Sequence, residues 1–270
     1  MSAAAATVDR SFAVRRRRAE ALRARHAFAD EVLALYVALL DAWESVSESP
    51  PDPQGVAPWA ADHVLPAVVD ATLAAGPPAL RQAVRDRSDP PLAGWLANAP
   101  LEPVDRYLAR ASLTPALEAL GERAGDACVP GDGGELCPRC GGPPQLSYVA
   151  AAGESLVTGP RSLLCARCGS SWTCSRSVCP ACGEDQDARL SVYAEDWHGP
   201  VSGRRDGNGR PVFPHLRIAA CSTCSRYLIE IDMARDPRAV PEVDELVALP
   251  LDLYAADQGL TKVTPNLMGF

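Results

Sequence analysis

Four Cys-x-x-Cys pairs, Cys137/Cys140, Cys165/Cys168, Cys179/Cys182 and Cys221/Cys224, constrain this chain more than any other feature. Such a spacing turns the backbone tightly enough to point two sulfurs the same way, and two such turns supply the four thiolates of a tetrahedral metal site. The gaps are 24 residues between the first two pairs, 10 between the second and third, and 38 between the last two. The longer gaps have room for a hairpin; the short one suits a connector. The spacing therefore predicts sequential pairing, with Cys137, Cys140, Cys165 and Cys168 in one site and Cys179, Cys182, Cys221 and Cys224 in the other. An interleaved arrangement remains open. Gly141, Gly142, Gly169 and Gly183 beside the sulfurs let backbone amides turn toward thiolate.

Tetrathiolate coordination suits zinc and iron alike, so the expected cofactors are two metal ions, one per site, of either element. Zinc would make the sites structural; iron would make them redox-active. Both sites use all four ligands, which leaves no open position for Lewis-acid chemistry. Cys128 and Cys174 fall outside the pairs and are expected to be buried, inert thiols. The histidines (His26, His63, His198, His215) are scattered; His198 and His215 flank a Gly/Pro-rich loop over 198–214 and are expected to be solvated loop residues rather than members of a site.

The remaining sequence separates into two characters. Residues 1–130 read as helical. Val32, Leu35, Tyr36, Leu39, Leu40 and Trp43 recur at three- and four-residue steps, which lines them along one helix face. A second helix is expected over 58–75, ending at Gly76-Pro77-Pro78, with shorter pieces near 79–87, 91–98 and 103–124. After the Gly-rich stretch 130–134 the chain becomes short strands and knuckles. Gln145–Ala150, Leu156–Thr158, Arg189–Tyr193 and Tyr227–Ile231 are the strand candidates. Helical periodicity returns over 240–258, where Pro250 should kink or split the helix. The expected class is α+β multidomain: an N-terminal all-α domain (1–130), two tandem rubredoxin-like or zinc-ribbon modules (131–178 and 179–236), and a C-terminal helix and tail (237–270).

Charge narrows the function. The chain carries a net −8, and residues 131–236 hold 11 Arg against 12 acidic residues. Eight thiolates holding two zinc ions would bring that region to about −5, the wrong sign for phosphate. The one basic stretch is 1–30, with 7 Arg and 3 acids. Its Arg15–Arg18 run does not open an export signal, because Glu20, Arg23, Arg25, Asp30 and Glu31 interrupt the uncharged apolar segment that such a signal requires. A solvated helix face or loose arm is expected for it. No apolar run is long enough to span a membrane, and the cysteine pattern fits a reducing compartment, so a cytoplasmic location is expected. No Ser-His-Asp set, phosphate loop or His-Glu-x-x-His motif is present, so no catalytic residue is assigned and no enzyme is expected. A zinc-ribbon nucleic-acid binder and a rubredoxin-like electron-transfer protein stay as alternatives to a protein-binding factor.

The run from Leu164 to Trp172, with Arg176, Cys179 and Cys182 after it, resembles the formate dehydrogenase accessory protein family (FdhE). So do the Cys137-Pro138-Arg139-Cys140-Gly141-Gly142 opening and the Cys221–Leu228 run, with Asp236-Pro237, Asp244-Glu245-Leu246, Leu251-Asp252, Gly259 and Asn266 beyond it. The chain departs from the family at Ala220, Ile229, Pro250 and Thr261. The resemblance implies a cytoplasmic maturation factor that binds the formate dehydrogenase catalytic subunit through iron-binding, rubredoxin-like sites. It also points to Trp172 and Arg176 as residues that shape the junction between modules.

Overall fold

The computed structural model describes residues 9–46, 52–150, 159–195 and 211–269. Among these residues seven helices come first: α1 (Phe12–Arg23), α2 (Asp30–Val46), α3 (Val56–His63), α4 (Leu65–Ala75), α5 (Pro78–Arg85), α6 (Leu92–Leu96) and α7 (Pro103–Leu120). On α2 the buried stripe is Leu33, Leu35, Tyr36, Leu39, Leu40 and Trp43. Leu33 thus takes the buried place expected of Val32, which is only partly covered. The helix expected over 58–75 is two. It breaks at Val64, because Pro66 has no N–H to continue the ladder but is tolerated in the first turn of a new helix.

α7 contains an internal proline, Pro115, and still runs unbroken. Proline cannot donate to the carbonyl of Ala111 four residues earlier. The indole N–H of Trp43 donates to that oxygen instead, at 2.8 Å, so the acceptor is satisfied from α2.

Seven strands follow: β1 (Pro144–Val149), β2 (Arg161–Cys165), β3 (Ser171–Thr173), β4 (Leu190–Ala194), β5 (Leu216–Cys221), β6 (Arg226–Asp232) and β7 (Thr261–Lys262). They form one sheet in the order β3-β2-β1-β6-β5-β4, with β7 also on β6. The strands of the first cysteine module (β1–β3) and of the second (β4–β6) are each antiparallel within themselves. A parallel seam joins them, with Ser147 opposite Glu230, Tyr148 opposite Ile231 and Val149 opposite Asp232. Leu156–Thr158 and most of the 198–214 loop lie outside the described residues.

The C-terminal segment splits into α8 (Pro241–Asp244), a 3₁₀ turn at Glu245–Val247 and α9 (Leu249–Asp257). Pro250 sits in the first turn of α9, where a missing N–H costs little. This segment packs against both halves. Leu39 and Leu117 of the helices, Tyr148 and Ile231 of the sheet, and Val243 and Leu251 of the C-terminal segment belong to one apolar core. Each fully buried leucine there contributes roughly 2 kcal/mol.

The arginine run of α1 is a correction to expectation. Arg17 is exposed, but Arg15 and Arg18 are buried at 4% and 6% exposure. Periodicity counts only apolar side chains, so it could not show that this face carries its own counter-ions: Glu118 and Glu242 for Arg15, Asp236 and Asp244 for Arg18.

Candidate metal centres

Each cluster draws one cysteine pair from ahead of a strand and one from the end of a strand and its turn. Cys137 and Cys140 precede β1; Cys165 closes β2 and Cys168 lies in its turn to β3. Cys179 and Cys182 lead toward β4; Cys221 closes β5 and Cys224 lies in its turn to β6. The sulfurs gather into two groups, Cys137/Cys140/Cys165/Cys168 and Cys179/Cys182/Cys221/Cys224, each with its four sulfurs within 4.8 Å of one another. The grouping is sequential, not interleaved.

The spacing within each group fits a tetrahedral ion. Bonds of about 2.3 Å place the sulfurs of a tetrahedron about 3.8 Å apart. In the first group Cys137–Cys168 is 3.7 Å and Cys140–Cys165 is 3.4 Å. In the second, Cys179–Cys224 and Cys182–Cys221 are both 3.8 Å. A disulfide would need about 2.05 Å, and all ten cysteines are free.

The four knuckles repeat one backbone turn. The residue after each second cysteine is left-handed: Gly141 (φ 64°), Gly169 (φ 65°), Gly183 (φ 76°) and Ser225 (φ 55°). In the first three, the amide of the leading cysteine donates to the carbonyl five residues on, at 2.8–2.9 Å. Ser225 alone holds this conformation with a side chain, a feature its flanking sequence does not advertise.

Further donors face the sulfurs of the first group. The Ser170 hydroxyl lies 3.0 Å from both Cys137 Sγ and Cys168 Sγ, and the Arg167 amide donates to Cys165 Sγ at 3.3 Å. Arg167 itself is buried at 1% exposure. Its guanidinium donates to Asn98 and to the Val129 carbonyl, and lies over the Trp95 ring at 5.6 Å. It thereby fixes the second knuckle to the helical half. The Gly-rich stretch is also anchored: Gly131 N donates to Gly141 O, and Glu135 N to Pro180 O inside the third knuckle.

Burial pushes the Cys165 thiol well up and the Cys179 thiol up to about 12. Hydrogen bonds from Cys140, Cys165 and Cys168 pull the Cys137 thiol down instead, so the sulfurs of one cluster share their protons unequally. The four-sulfur donor sets and their spacing fit a thiophilic metal ion, whose binding displaces the remaining thiol protons. The two groups differ in exposure. All four cysteines of the first are buried, whereas in the second Cys182 is exposed and Cys224 partly so.

Several other expected residues are placed differently. His215 is buried, not solvated, with Nε2 2.8 Å from Asp244 Oδ1. The other loop histidine, His198, lies outside the described residues, while His26 packs on Phe213 at 4.9 Å and the exposed His63 stacks on Trp59 at 5.2 Å. Cys128 and Cys174 are only partly buried, and the neighbouring Cys140 side chain holds the Cys128 thiol below its ordinary value. Trp172 is a core side chain of β3, and Arg176 donates to Gly159 O at 2.7 Å.

Sequence reasoning missed a buried polar chain beneath the sheet. Arg110 of α7 donates to Gln145 at 2.5 Å, and Gln145 donates to Glu245. Lys262 lies 2.9 Å from Glu245 and 3.1 Å from Asp252, which also accepts from Tyr227 at 2.8 Å. Lys262 is the only lysine of the chain. That singularity was the one available signal.

No family model matches the chain. It is 31% identical over 134 residues to a "Protein FdhE homolog" of Aquifex aeolicus, covering 50% of this chain and 41% of that protein. FdhE homologues of Pseudomonas putida and Pseudomonas aeruginosa match at 26% over 132 residues and 28% over 135, covering 37% and 39% of those proteins. The match thus spans about two fifths of the length of these curated relatives. The fold matches the crystal structure of the FdhE protein from Pseudomonas aeruginosa with a TM-score of 0.66 and 23% identity, over 95% of each chain. The likeness takes in both the helical half and the sheet that carries this chain's two four-cysteine clusters. No helix among the described residues is long and apolar enough to cross a membrane.

Proposed function

We propose that this chain is a member of the FdhE family and acts as a cytoplasmic, non-enzymatic maturation factor that binds the catalytic subunit of a formate dehydrogenase. The observation that carries the reading is the 31% identity over 134 residues to an FdhE homologue, combined with two complete four-cysteine clusters. Each cluster holds one iron or zinc ion through Cys137, Cys140, Cys165 and Cys168, or through Cys179, Cys182, Cys221 and Cys224. The metal rigidifies the knuckles, and the units 1–130, 131–178, 179–236 and 237–270 together present the client-binding surface.

The alternative as a nucleic-acid binder loses its one basic segment. Arg10, Arg15, Arg16, Arg18 and Arg23 of the N-terminal stretch are each paired with a carboxylate of the chain itself. Few of these charges are left to meet phosphate.

Deletion in the native host, with recovery of formate dehydrogenase activity by the intact chain, tests the reading. Loss of activity on deletion, and capture of the catalytic subunit on the tagged full-length chain, are expected. Unchanged activity together with no captured subunit contradicts it.

A further inference from the structure

A cavity of about 190 Å³ opens on β4, β5 and β6, beside the second cysteine cluster. Side chains alternate across a strand, and on β5 Leu216 and Ile218 are buried while Arg217 and Ala219 line the cavity. Arg161, Arg176, Arg217 and Arg226 line it, against one acidic residue, Glu230, and Arg176 also donates to the Gly159 carbonyl at 2.7 Å. This concentration of positive charge stands out in a chain of net charge −8.

Arg161 is the most informative of the four. It is buried at 5% exposure, and its Nε makes no hydrogen bond. Glu230 Oε2 is 3.6 Å from that nitrogen, and Nη1 donates to Val178 O at 3.2 Å. A buried guanidinium donor left unused is costly unless something outside the chain accepts from it. Arg217 is shared with Asp232 at 2.6 Å. Arg226 is exposed at the rim and makes no ion pair with a described residue. Leu190, Val192 and Leu228 supply an apolar wall, and Val192 is 62% exposed on the edge strand β4.

We propose that this cavity binds a single carboxylate carried on an apolar body. Guanidinium forks match carboxylate geometry. Glu230 already offsets part of the charge, which favours one negative charge over several, and the apolar wall would stay wet around a bare inorganic anion. Two sources share this chemistry: the terminal carboxylate of a peptide ending in an aliphatic residue, and a free short-chain carboxylic acid. The proposal does not depend on the formate dehydrogenase reading. A rival use for the arginines is to offset the charge of the neighbouring tetrathiolate, since Cys179 and Cys221 also line the cavity.

Calorimetric titration of the metal-loaded full chain tests the proposal. The probes are hexanoate, an acetylated Gly-Ser-Gly-Ala-Val peptide with a free carboxylate, and the same peptide amidated. Saturable one-to-one binding of hexanoate or the free peptide is expected, with the amide at least about tenfold weaker than the free peptide. Preference for the peptide assigns the site to a chain terminus, and preference for hexanoate to a free acid. Arg226→Glu should weaken the bound probe at least about tenfold while metal content stays at the wild-type value. Arg176→Gln gives a second reading in the same direction. Absence of saturable binding by either carboxylate, or affinity unchanged in both variants, overturns the proposal. Loss of metal from the second cluster in both variants also overturns it, and assigns the arginines to the thiolates.

Discussion

Arg18 on α1 and Asp244 on α8, 226 residues apart in the chain, form a buried ion pair in which Arg18 Nε donates to Asp244 Oδ2 at 2.9 Å. Asp244 is fully buried and also accepts from the Val240 amide at 2.8 Å, with His215 on its other oxygen. The first helix, the end of the loop before β5 and the C-terminal segment therefore meet on one carboxylate. Removing one partner of such a pair leaves a buried charge uncompensated. Arg18→Ala is expected to destabilise the chain by about 3–5 kcal/mol in chemical denaturation, with little change in metal content. A loss below about 1 kcal/mol would mean that water reaches Asp244 and the pair behaves as a surface contact.

A second charge cluster ties the same elements together and sets an acid limit. Arg10 Nε lies 2.7 Å and Arg15 Nε 3.0 Å from Glu242 Oε1. Burial alone would raise this carboxyl, but the two guanidiniums outweigh it and hold it below its ordinary 4.5. A depressed carboxyl contributes stability above its unfolded value and loses it as pH falls through the folded one. The contribution is thus complete at neutral pH and fades below about 4.5. Glu242→Gln should be less stable at pH 7 and show a shallower decline of stability in acid. Metal loss at low pH affects both proteins alike and cancels in the comparison. Parallel acid limbs would contradict the assignment.

The fourth knuckle carries a residue that its turn does not favour. Ser225 sits at φ 55°, where the other three knuckles have glycine. Left-handed backbone costs a residue with a Cβ about 1 kcal/mol. Ser225→Gly should therefore stabilise the metal-loaded chain by up to about 1 kcal/mol, and Gly183→Ala should destabilise it by a similar amount, both read in thermal denaturation. The site at Gly183 has open space for a methyl group, so the backbone angle alone is tested there.

Unequal burial of the two clusters predicts unequal lability. A chelator can reach Cys182 and Cys224, whereas the first cluster is enclosed and its sulfurs receive hydrogen bonds from Ser170 and Arg167. Metal should leave in two phases, the second cluster releasing about tenfold faster. Cys179→Ala should remove the fast phase and Cys137→Ala the slow one. A single phase, or the reverse order, would contradict the burial argument.

The parts of this fold that announce themselves in sequence are those whose chemistry is local. Cysteine spacing gives the two clusters, because a Cys-x-x-Cys turn is complete within a few residues. The α2 stripe, Val32 apart, and the proline break near Ala248 follow from helical period and the missing proline N–H, whereas the apolar period over 58–75 hides the break at Val64. What stays hidden depends on distant partners. Apolar periodicity cannot distinguish Arg15 and Arg18, which are buried against Glu118, Glu242 and Asp244, from the exposed Arg17 beside them. Nor does any local pattern show that β1 pairs in parallel with β6, which makes the two cysteine modules one sheet. Lys262 shows only as a compositional oddity until Glu245 and Asp252 are seen around it.

Whether each cysteine cluster holds its own ion is measured directly by elemental analysis of chain purified anaerobically from its native host. Two equivalents of iron or zinc per chain are predicted, falling by one in Cys137→Ala and by one in Cys179→Ala. Each loss should destabilise its own module, by on the order of 10 kcal/mol. Native chain that carries no metal, or variants that each lose both equivalents, would contradict it.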